Sequence, residues 1–206
     1  MSHESTSAAG ELRIPAGHPL TKLPAIGFGL AVVGALALAV FGSGHPERFF
    51  AAWLVAFFFF LSIALGCLYF VLIHTAMAGS WGIVVRRIAE NAAATIPLFA
   101  LLFLPVAMGV HSLYHWSHAD AVAHDHLLQL KQPYLNEGFF FARAALYFVV
   151  WSAIALWFRR LSRRQDTDRD PALQQRLRRY SGALLVPLAV THTFAAFDWL
   201  MSPAKA

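Results

Sequence analysis

Five long apolar stretches with very few charged residues constrain this chain most. They cover residues 23–42, 49–75, 92–110, 138–158 and 181–200. About 20 apolar residues in a helix cross the roughly 30 Å hydrocarbon core of a bilayer. Only 13% of the 206 residues are charged, about half the share in a soluble domain. The sequence therefore predicts an all-α integral membrane protein with about five transmembrane helices.

The predicted domain organisation follows from these stretches. We expect a polar cytoplasmic tail at residues 1–22, a transmembrane helical domain at 23–202 and a short outer-side tail at 203–206. The first stretch has a rival interpretation, a signal peptide. The apolar region of a signal peptide is shorter and is followed by a small-residue cleavage pattern, so we interpret residues 23–42 as an uncleaved helix.

Lys and Arg residues are distributed unevenly over the predicted loops. Eight of the sixteen lie between Arg159 and Arg179, and in all twelve fall on one side of the membrane against three on the other. Because such an excess marks the cytoplasmic side, the pattern predicts a cytoplasmic N-terminus and an outer-side C-terminus. Basic clusters beside apolar helices contact lipid headgroups, so we expect a lipid bilayer, and no nucleic acid, as the partner of this charge.

A short segment before the third stretch, residues 81–91, is predicted to form a helical turn at the membrane interface. Arg86 and Arg87 lie four and three residues before Glu90. Side chains at these spacings meet on the surface of a helix. We therefore expect ion pairs there.

Arg143 lies inside the fourth predicted span, with Tyr147 on the same helical face. A charge within a span is costly unless it is paired, and it marks a candidate functional site. The alternatives are a side chain that reaches the outer interface and a structural ion pair.

Asp198 lies near the outer end of the fifth span, at a depth similar to that of Arg143. We expect these two residues to pair, or to share a water network with Glu137. Helical spacing places Thr191 and Phe194 on the face of Asp198. Both a proton-carrying role and a structural role for Asp198 remain open.

His192, near the middle of the fifth span, and His74, near the inner end of the second, raise the question of haem b. A haem with two histidine ligands needs them at matching depth, and the predicted depths differ. A proton relay or hydrogen-bonded packing is the favoured interpretation, with His192 the better relay candidate. Cys67, Phe70 and His74 form one stripe that we interpret as helix packing.

Histidines also crowd the connection after the third span. His111, His115 and His118 would share one face if the helix continued past the membrane, which would supply ligands for zinc or copper. The favoured interpretation is an interfacial or subunit-contact loop. The single cysteine, Cys67, excludes a CxxCH haem attachment and a cysteine-ligated iron–sulfur cluster. We therefore expect no cofactor in this chain.

Three segments of the C-terminal half resemble a known family. They read LYHWSHADAVAHDHLLQLKQPYLNEGFFFARAALYF, RRQDTDRDPALQQRLRRYSG and THTFAAFDWLMS. Together they resemble a membrane subunit of bacterial alternative complex III, a quinol:cytochrome c oxidoreductase, within the NrfD-like superfamily of polysulfide-reductase membrane subunits. The close resemblance covers about ninety residues from Leu113 to Ser202, and the first three helices agree only in layout.

The resemblance implies a multi-pass protein of the bacterial inner membrane, with helices two to five forming a four-helix bundle. It implies partners that carry the redox chemistry: a multihaem cytochrome c, an iron–sulfur subunit and an NrfD-like quinol-binding subunit. Haem c, iron–sulfur clusters and quinol would then lie in those partners. A proton-pathway role is proposed for the family, and the positions carried over are His192, Asp198, Arg143 and Glu137.

Members of this family continue after FDWLMS with further helices, so the resemblance covers the N-terminal half only. A split subunit, a truncated copy and a fragment remain open. Three functional hypotheses follow: a non-redox, non-catalytic subunit that anchors partners and contributes to a proton pathway, a purely structural assembly subunit, and an independent haem- or metal-binding membrane protein.

Overall fold

The computed structural model describes residues 18–42, 44–79, 83–118, 122–123, 126–167 and 171–201. Across these residues the chain forms helices and turns and contains no β-strand, which confirms the predicted all-α class. The chain divides into two compact units, Met1–Phe49 and Phe50–Ala206. Most of the predicted N-terminal tail and the whole of the tail at 203–206 lie outside the described residues.

The first unit contains the first predicted span. A short 3-10 turn, Pro19–Lys22, leads into helix α1, Leu23–Gly42. This helix has no charged residue, and its described apolar side chains, such as Phe28 and Leu30, are exposed. The predicted helix is confirmed, and its crossing of a membrane stays a prediction.

The second unit contains most of helix α2 and all later elements. The helices are α2 (Pro46–Ala76), α3 (Ile83–Ala93), α4 (Ile96–Leu102), α5 (Leu104–Met108), α6 (Val110–Leu113), α7 (His126–Lys131), α8 (Glu137–Thr167) and α9 (Pro171–Ala196). A 3-10 turn, His115–Ser117, follows α6, and α9 continues as a π-helical turn, Phe197–Met201.

Four helical segments of the described residues are long and apolar enough to cross a membrane. They are Pro46–Ala76, Val85–Met108, Glu137–Gln165 and Pro171–Met201. The last two extend well beyond the predicted spans at 138–158 and 181–200, because most of the arginine-rich connection is itself helical.

Prolines divide the second of these segments into short helices. Pro97 and Pro105 lie in the first turns of α4 and α5, where the missing N–H of proline has no helical acceptor to lose. The chain nevertheless keeps its direction, since the Phe103 N–H donates to the Phe99 carbonyl at 2.9 Å and the Ala107 N–H donates to the Phe103 carbonyl at 3.0 Å.

The four segments pack as an antiparallel bundle. A Cβ on Gly109 would clash with the Phe50 ring, so glycine allows the end of the second segment to approach the start of α2 closely. The indole N–H of Trp53 donates to the Leu102 carbonyl at 3.1 Å. One apolar core runs through the bundle and contains the fully buried side chains Leu61, Leu65, Ile96, Trp151, Leu188 and Trp199.

Large apolar side chains also cover the outside of the bundle. Phe59, Val149 and Val186 are each about 60% exposed. A water-soluble surface would carry polar residues at such positions, whereas hydrocarbon accepts them. The outer faces of these helices therefore suit contact with a lipid bilayer.

The bundle has two ends, which we name by one residue each. The Asp198 end contains the start of α8, the end of α6 and the π-helical turn. The Arg178 end contains the end of α2, the start of α3 and the start of α9, where Arg178 Nε donates to the Ala76 carbonyl at 3.1 Å.

Candidate functional site

A buried ion pair lies at the Asp198 end. Arg143 in α8 and Asp198 in the π-helical turn are 8% and 3% exposed. Arg143 Nε donates to Asp198 Oδ2 at 2.8 Å, and Arg143 Nη2 donates to Asp198 Oδ1 at 2.9 Å. Two parallel charge-assisted hydrogen bonds are the strongest arrangement of these groups. The predicted pairing of Arg143 with Asp198 is confirmed.

Two tyrosines complete the environment of the carboxylate. Tyr147 Oη donates to Asp198 Oδ2 at 2.7 Å, and Tyr134 Oη donates to Asp198 Oδ1 at 3.1 Å. Each carboxylate oxygen thus accepts two hydrogen bonds, and a carboxylate offers about four lone-pair sites. We call these four residues, Arg143, Asp198, Tyr134 and Tyr147, the Asp198 cluster.

The turn before α8 positions Tyr134. Asn136 caps this helix, because its Oδ1 accepts the Phe139 N–H at 2.8 Å, and its Nδ2 donates to the Pro133 carbonyl at 3.0 Å. The carbonyl of Tyr134 then accepts Arg143 Nη1 at 2.9 Å. The guanidinium lies 3.9 Å from the centre of the Tyr134 ring, a distance at which a cation and an aromatic face attract.

The π-helical turn explains how two consecutive residues both face inward. Asp198 and Trp199 are both buried, although neighbours on a regular helix are well separated around its axis. Trp199 packs against Phe103 and Phe148 with ring centres at 4.9 and 5.6 Å. Its carbonyl accepts the Tyr114 hydroxyl at 3.2 Å.

The same turn corrects one prediction. Phe194 was expected on the face of Asp198, but Phe194 is 48% exposed whereas Asp198 is buried. A π-helical turn contains more residues than an α-helical one, so counting by 3.6 residues fails across it. Thr191 does face inward and accepts the Trp151 indole N–H at 2.8 Å.

Outside the membrane-crossing segments, tyrosine acidity follows the same electrostatics. Burial first, and then the negative charge of Asp198, raise the pKa of Tyr114 and of Tyr134 above the ordinary value for tyrosine. For Tyr134 the nearby Arg143 partly opposes this rise in pKa. Both phenols therefore remain protonated hydrogen-bond donors around neutral pH.

His192 lies away from the Asp198 cluster. Its half-buried ring packs near Tyr69 and Trp151, with ring centres at 5.8 and 6.4 Å. Among the hydrogen bonds and ion pairs of the described residues, none joins His192 to Asp198. Direct proton transfer between these two residues therefore has no path within the described contacts.

His74 occupies a different level of the bundle. It is buried in the last turn of α2 and packs on Phe70 with ring centres 5.6 Å apart. Because His192 lies beside Tyr69, five residues before His74 in α2, the two histidines differ in depth by about 7.5 Å at 1.5 Å per residue. This geometry agrees with the packing interpretation of the stripe that contains His74.

Glu137 and the loop histidines form a separate, exposed group. Glu137 Oε1 lies 3.6 Å from His111 Nε2, and both side chains are largely exposed. Glu137 has no contact with Arg143 or Asp198 in the described part of the chain. The expected water network that includes Glu137 stays a prediction.

A continuous helix does not carry the three loop histidines. Helix α6 ends at Leu113, and Tyr114 is extended at φ −118° and ψ 115°, so the condition for one shared face of His111, His115 and His118 is not met. The rings of His111 and His118 still lie 6.1 Å apart. Within the described residues, no group of three His, Cys, Asp or Glu side chains is placed to hold a metal; His124 and Asp125 lie outside them.

A second charged cluster lies towards the Arg178 end. Arg86 Nε lies 2.8 Å and Arg87 Nη1 lies 3.3 Å from the two carboxylate oxygens of Glu90, which confirms the predicted pairs. Ser162 of α8 donates to Glu90 Oε1 at 2.7 Å and accepts Arg86 Nη2 at 3.1 Å. We call Arg86, Arg87, Glu90 and Ser162 the Glu90 cluster.

Two members of these clusters were not identified from the sequence. Tyr134 lies 64 residues from Asp198 and Ser162 lies 72 residues from Glu90, the carboxylates that they contact, so no periodic signal marks them. The aromatic residue in PYLN, nine residues before a charge within a span, is the only hint of Tyr134 that the sequence contains.

The fold and the site define a class of protein: an all-α membrane protein whose four-helix bundle encloses a buried arginine–aspartate pair. No protein-family model matches the chain, and no curated protein is significantly similar to it. Its function must therefore be argued from the residues.

Proposed function

We propose that this chain is a non-redox integral membrane subunit of a bacterial respiratory quinol:cytochrome c oxidoreductase similar to alternative complex III. It would anchor partner subunits in the inner membrane. In this proposal the Arg178 end faces the cytoplasm, because the excess of Lys and Arg lies on that side. The Asp198 end faces the periplasm, where a multihaem cytochrome c and an iron–sulfur subunit would dock.

One observation carries the proposal. The segments that give the resemblance meet in space: LYHW supplies Tyr114, PYLN supplies Tyr134, FFFARA supplies Arg143, and FDWL supplies Asp198. Segments up to 85 residues apart thus meet at Asp198 and at the adjacent Trp199 carbonyl. This convergence supports interpreting the resemblance as a shared structural unit.

The hydrogen bonds of the Asp198 cluster favour a structural role for this cluster. Its carboxylate accepts four hydrogen bonds, two of them from the arginine that neutralises it. Protonation of Asp198 would break the ion pair and leave a buried guanidinium without its counter-charge, which is costly. The cluster therefore clamps α8, the turn before it and the π-helical turn into one periplasmic platform.

Proton transfer is the second candidate role, and one observation favours it. Tyr134 contacts Asp198 and is itself 39% exposed, so its hydroxyl links the buried carboxylate to the surface. A proton pathway from this end would use Tyr134 and Asp198, with Arg143 as the counter-charge of the Asp198 carboxylate. His192 and Glu137 lack a contact with this link in the described residues.

The test of this proposal is purification in a mild detergent from the native membrane. We expect c-type haem, iron–sulfur signals and quinol:cytochrome c reductase activity to co-purify with this chain. Recovery of the chain alone, colourless and without reductase activity, while a known membrane complex survives the same detergent, would contradict the proposal.

Asp198→Asn distinguishes the two roles of the cluster. A structural clamp predicts a lower yield of assembled complex with normal turnover per complex. A proton pathway predicts normal yield with lower turnover. Glu137→Gln is the matched control, since it removes an exposed carboxylate at the same end and should change neither quantity.

A further inference from the structure

Two polar side chains lie at the outer surface of the bundle, between its two ends. His192 of α9 and Tyr69 of α2 lie side by side with ring centres 5.8 Å apart, and both side chains are partly exposed. Tyr69 lies seven residues before Ala76 at one end of the bundle. His192 lies six residues before Asp198 at the other end. At 1.5 Å per residue the pair lies about 9–11 Å inside these ends, within the hydrocarbon depth of a membrane-spanning bundle.

The polar groups of this pair are not satisfied within the bundle. Among the described residues, neither the His192 imidazole nor the Tyr69 hydroxyl has a hydrogen-bond partner, and neither group is fully enclosed. At the surface of a soluble protein, water would bond to both groups. Hydrocarbon offers no hydrogen bonds, so unsatisfied polar groups at this depth are costly. The pair therefore needs a hydrogen-bonding group from outside the bundle.

Small residues beside the pair leave room for another helix. Gly66 lies three residues before Tyr69, and Ala189 lies three residues before His192, so each shares a helical face with its polar neighbour. Gly66 and Ala189 are exposed, and a Cβ on Gly66 would meet no atom within 4 Å. Small residues allow helix backbones to approach closely in a membrane. This side of the bundle can therefore accept a transmembrane helix.

The chemistry and the depth of the pair suit a second copy of the same chain. A phenol donates one hydrogen bond, and a neutral imidazole has one acceptor nitrogen. Because the excess of Lys and Arg gives every copy the same orientation, a two-fold axis between copies runs along the membrane normal and preserves depth. The two adjacent rings lie at similar depth on different helices. Such an axis therefore brings Tyr69 of one copy opposite His192 of the other, and it makes the same contact twice.

We propose that two copies of this chain associate in the membrane through Gly66, Tyr69, Ala189 and His192, which we call the His192 surface. Tyr69 Oη of each copy donates to the acceptor nitrogen of His192 in the other copy. The two reciprocal hydrogen bonds give both polar groups a partner away from water. This inference goes beyond the proposed function, since it uses neither the Asp198 cluster nor any other subunit.

The test measures self-association of the full-length chain in phospholipid vesicles. Copies that carry a donor or an acceptor dye at the N-terminus report association by Förster resonance energy transfer over a series of protein-to-lipid ratios. We expect the wild-type chain to form a dimer. His192→Leu and Tyr69→Phe should each weaken the dimer by about tenfold, because either substitution removes both reciprocal hydrogen bonds. For the same reason, the double variant should weaken it little further than the stronger single variant.

A second variant tests the close approach of the helices. Gly66→Leu should abolish the dimer while leaving the melting temperature of the monomer unchanged, because the added side chain starts in open space. Ala56→Leu is its matched control, since Ala56 is exposed on α2 and helical spacing places it on a different side of this helix from Tyr69. Tyr180→Phe is the matched control for Tyr69→Phe, because it removes the same hydroxyl from an exposed tyrosine outside the His192 surface. Neither control should change association.

Three results would overturn the proposal. The first is a chain that stays monomeric at every protein-to-lipid ratio. The second is a dimer that His192→Leu, Tyr69→Phe and Gly66→Leu leave unchanged. The third is a monomeric chain that co-purifies with a different membrane protein and loses it in His192→Leu, which would assign the His192 surface to that protein.

Discussion

The two charged clusters of this bundle use similar groups in different ways. In the Asp198 cluster one arginine meets one carboxylate, two tyrosines fill the remaining acceptor sites, and Arg143 and Asp198 are both buried. In the Glu90 cluster two arginines share one carboxylate, and their side chains are 20% and 39% exposed. The first cluster is neutral and closed, whereas the arginines of the second are partly exposed and line an open cavity.

Because of this difference, the two ends of the bundle are suited to different roles. A closed, neutral cluster has no free site for a ligand, so its contribution is to hold helices together. The Glu90 cluster, by contrast, lies beside an open cavity, so its arginines remain within reach of solvent. The predictions below test this contrast through stability, measured as the free energy of unfolding of the detergent-solubilised chain.

The largest effect is expected for Arg143→Met. It leaves the Asp198 carboxylate buried without its counter-charge, which costs about 3–5 kcal/mol. Arg179→Met is the control, since an exposed substitution changes stability by less than about 0.5 kcal/mol. Equal stability of the two variants would show that the pair contributes nothing to the fold.

A smaller loss is expected for Glu90→Gln. It removes the charged acceptor of Arg86, Arg87 and Ser162, and hydrogen bonds to a charged group contribute about 1.5–3 kcal/mol. The partly exposed arginines can turn towards water, so we expect a loss near the middle of that range. Glu137→Gln should change stability little. A loss as large as that of Arg143→Met would remove the contrast between a closed and an open cluster.

Tyr147→Phe and Tyr134→Phe sharpen the account of the closed cluster. Each deletes one hydrogen bond to Asp198. Tyr147→Phe, which deletes the buried bond, should lower the free energy of unfolding by about 1.5 kcal/mol, in the range for a bond to a charged group. Tyr134→Phe should lower it less, because water can reach the partly exposed side chain of Tyr134. The reverse order would mean that Tyr134, and not Tyr147, closes the cluster.

The smallest effect, and the only gain, is expected for Ala78→Gly at the Arg178 end. Ala78 follows the end of α2 and adopts the left-handed conformation at φ 50°. Glycine adopts this helix-cap conformation without steric cost, which should stabilise the chain by about 1 kcal/mol. Ala56→Gly, at an exposed position within α2, should destabilise it by a similar amount. Loss of stability in both variants would contradict the assigned cap.

The sequence predicts the two clusters to different extents. Arg86, Arg87 and Glu90 could be paired from local spacing alone, because i,i+3 and i,i+4 neighbours must meet on any helix. The pairing of Arg143 with Asp198 needed the membrane argument, which places both residues at one depth where an unpaired charge is costly. In each cluster, the sequence predicts the ion pairs that a general physical rule requires, and no others.

What escaped prediction has physical causes. The π-helical turn changes the register after Ala196, so the 3.6-residue period placed Phe194 wrongly. The end of α6 at Leu113 depends on the backbone of Tyr114, and the histidine periodicity gives no sign of it. Ser162 and Tyr134 join their clusters through tertiary packing, which no local pattern encodes.

The central claim, that Arg143 and Asp198 form one structural clamp, is tested most directly by a double-mutant cycle. The variants are Arg143→Met, Asp198→Leu and the two combined, with the free energy of unfolding measured for each. The account predicts a large loss for each single variant and a much smaller loss for the combined one, since an apolar pair leaves no buried charge unpaired. A combined loss equal to the sum of the single losses would contradict it.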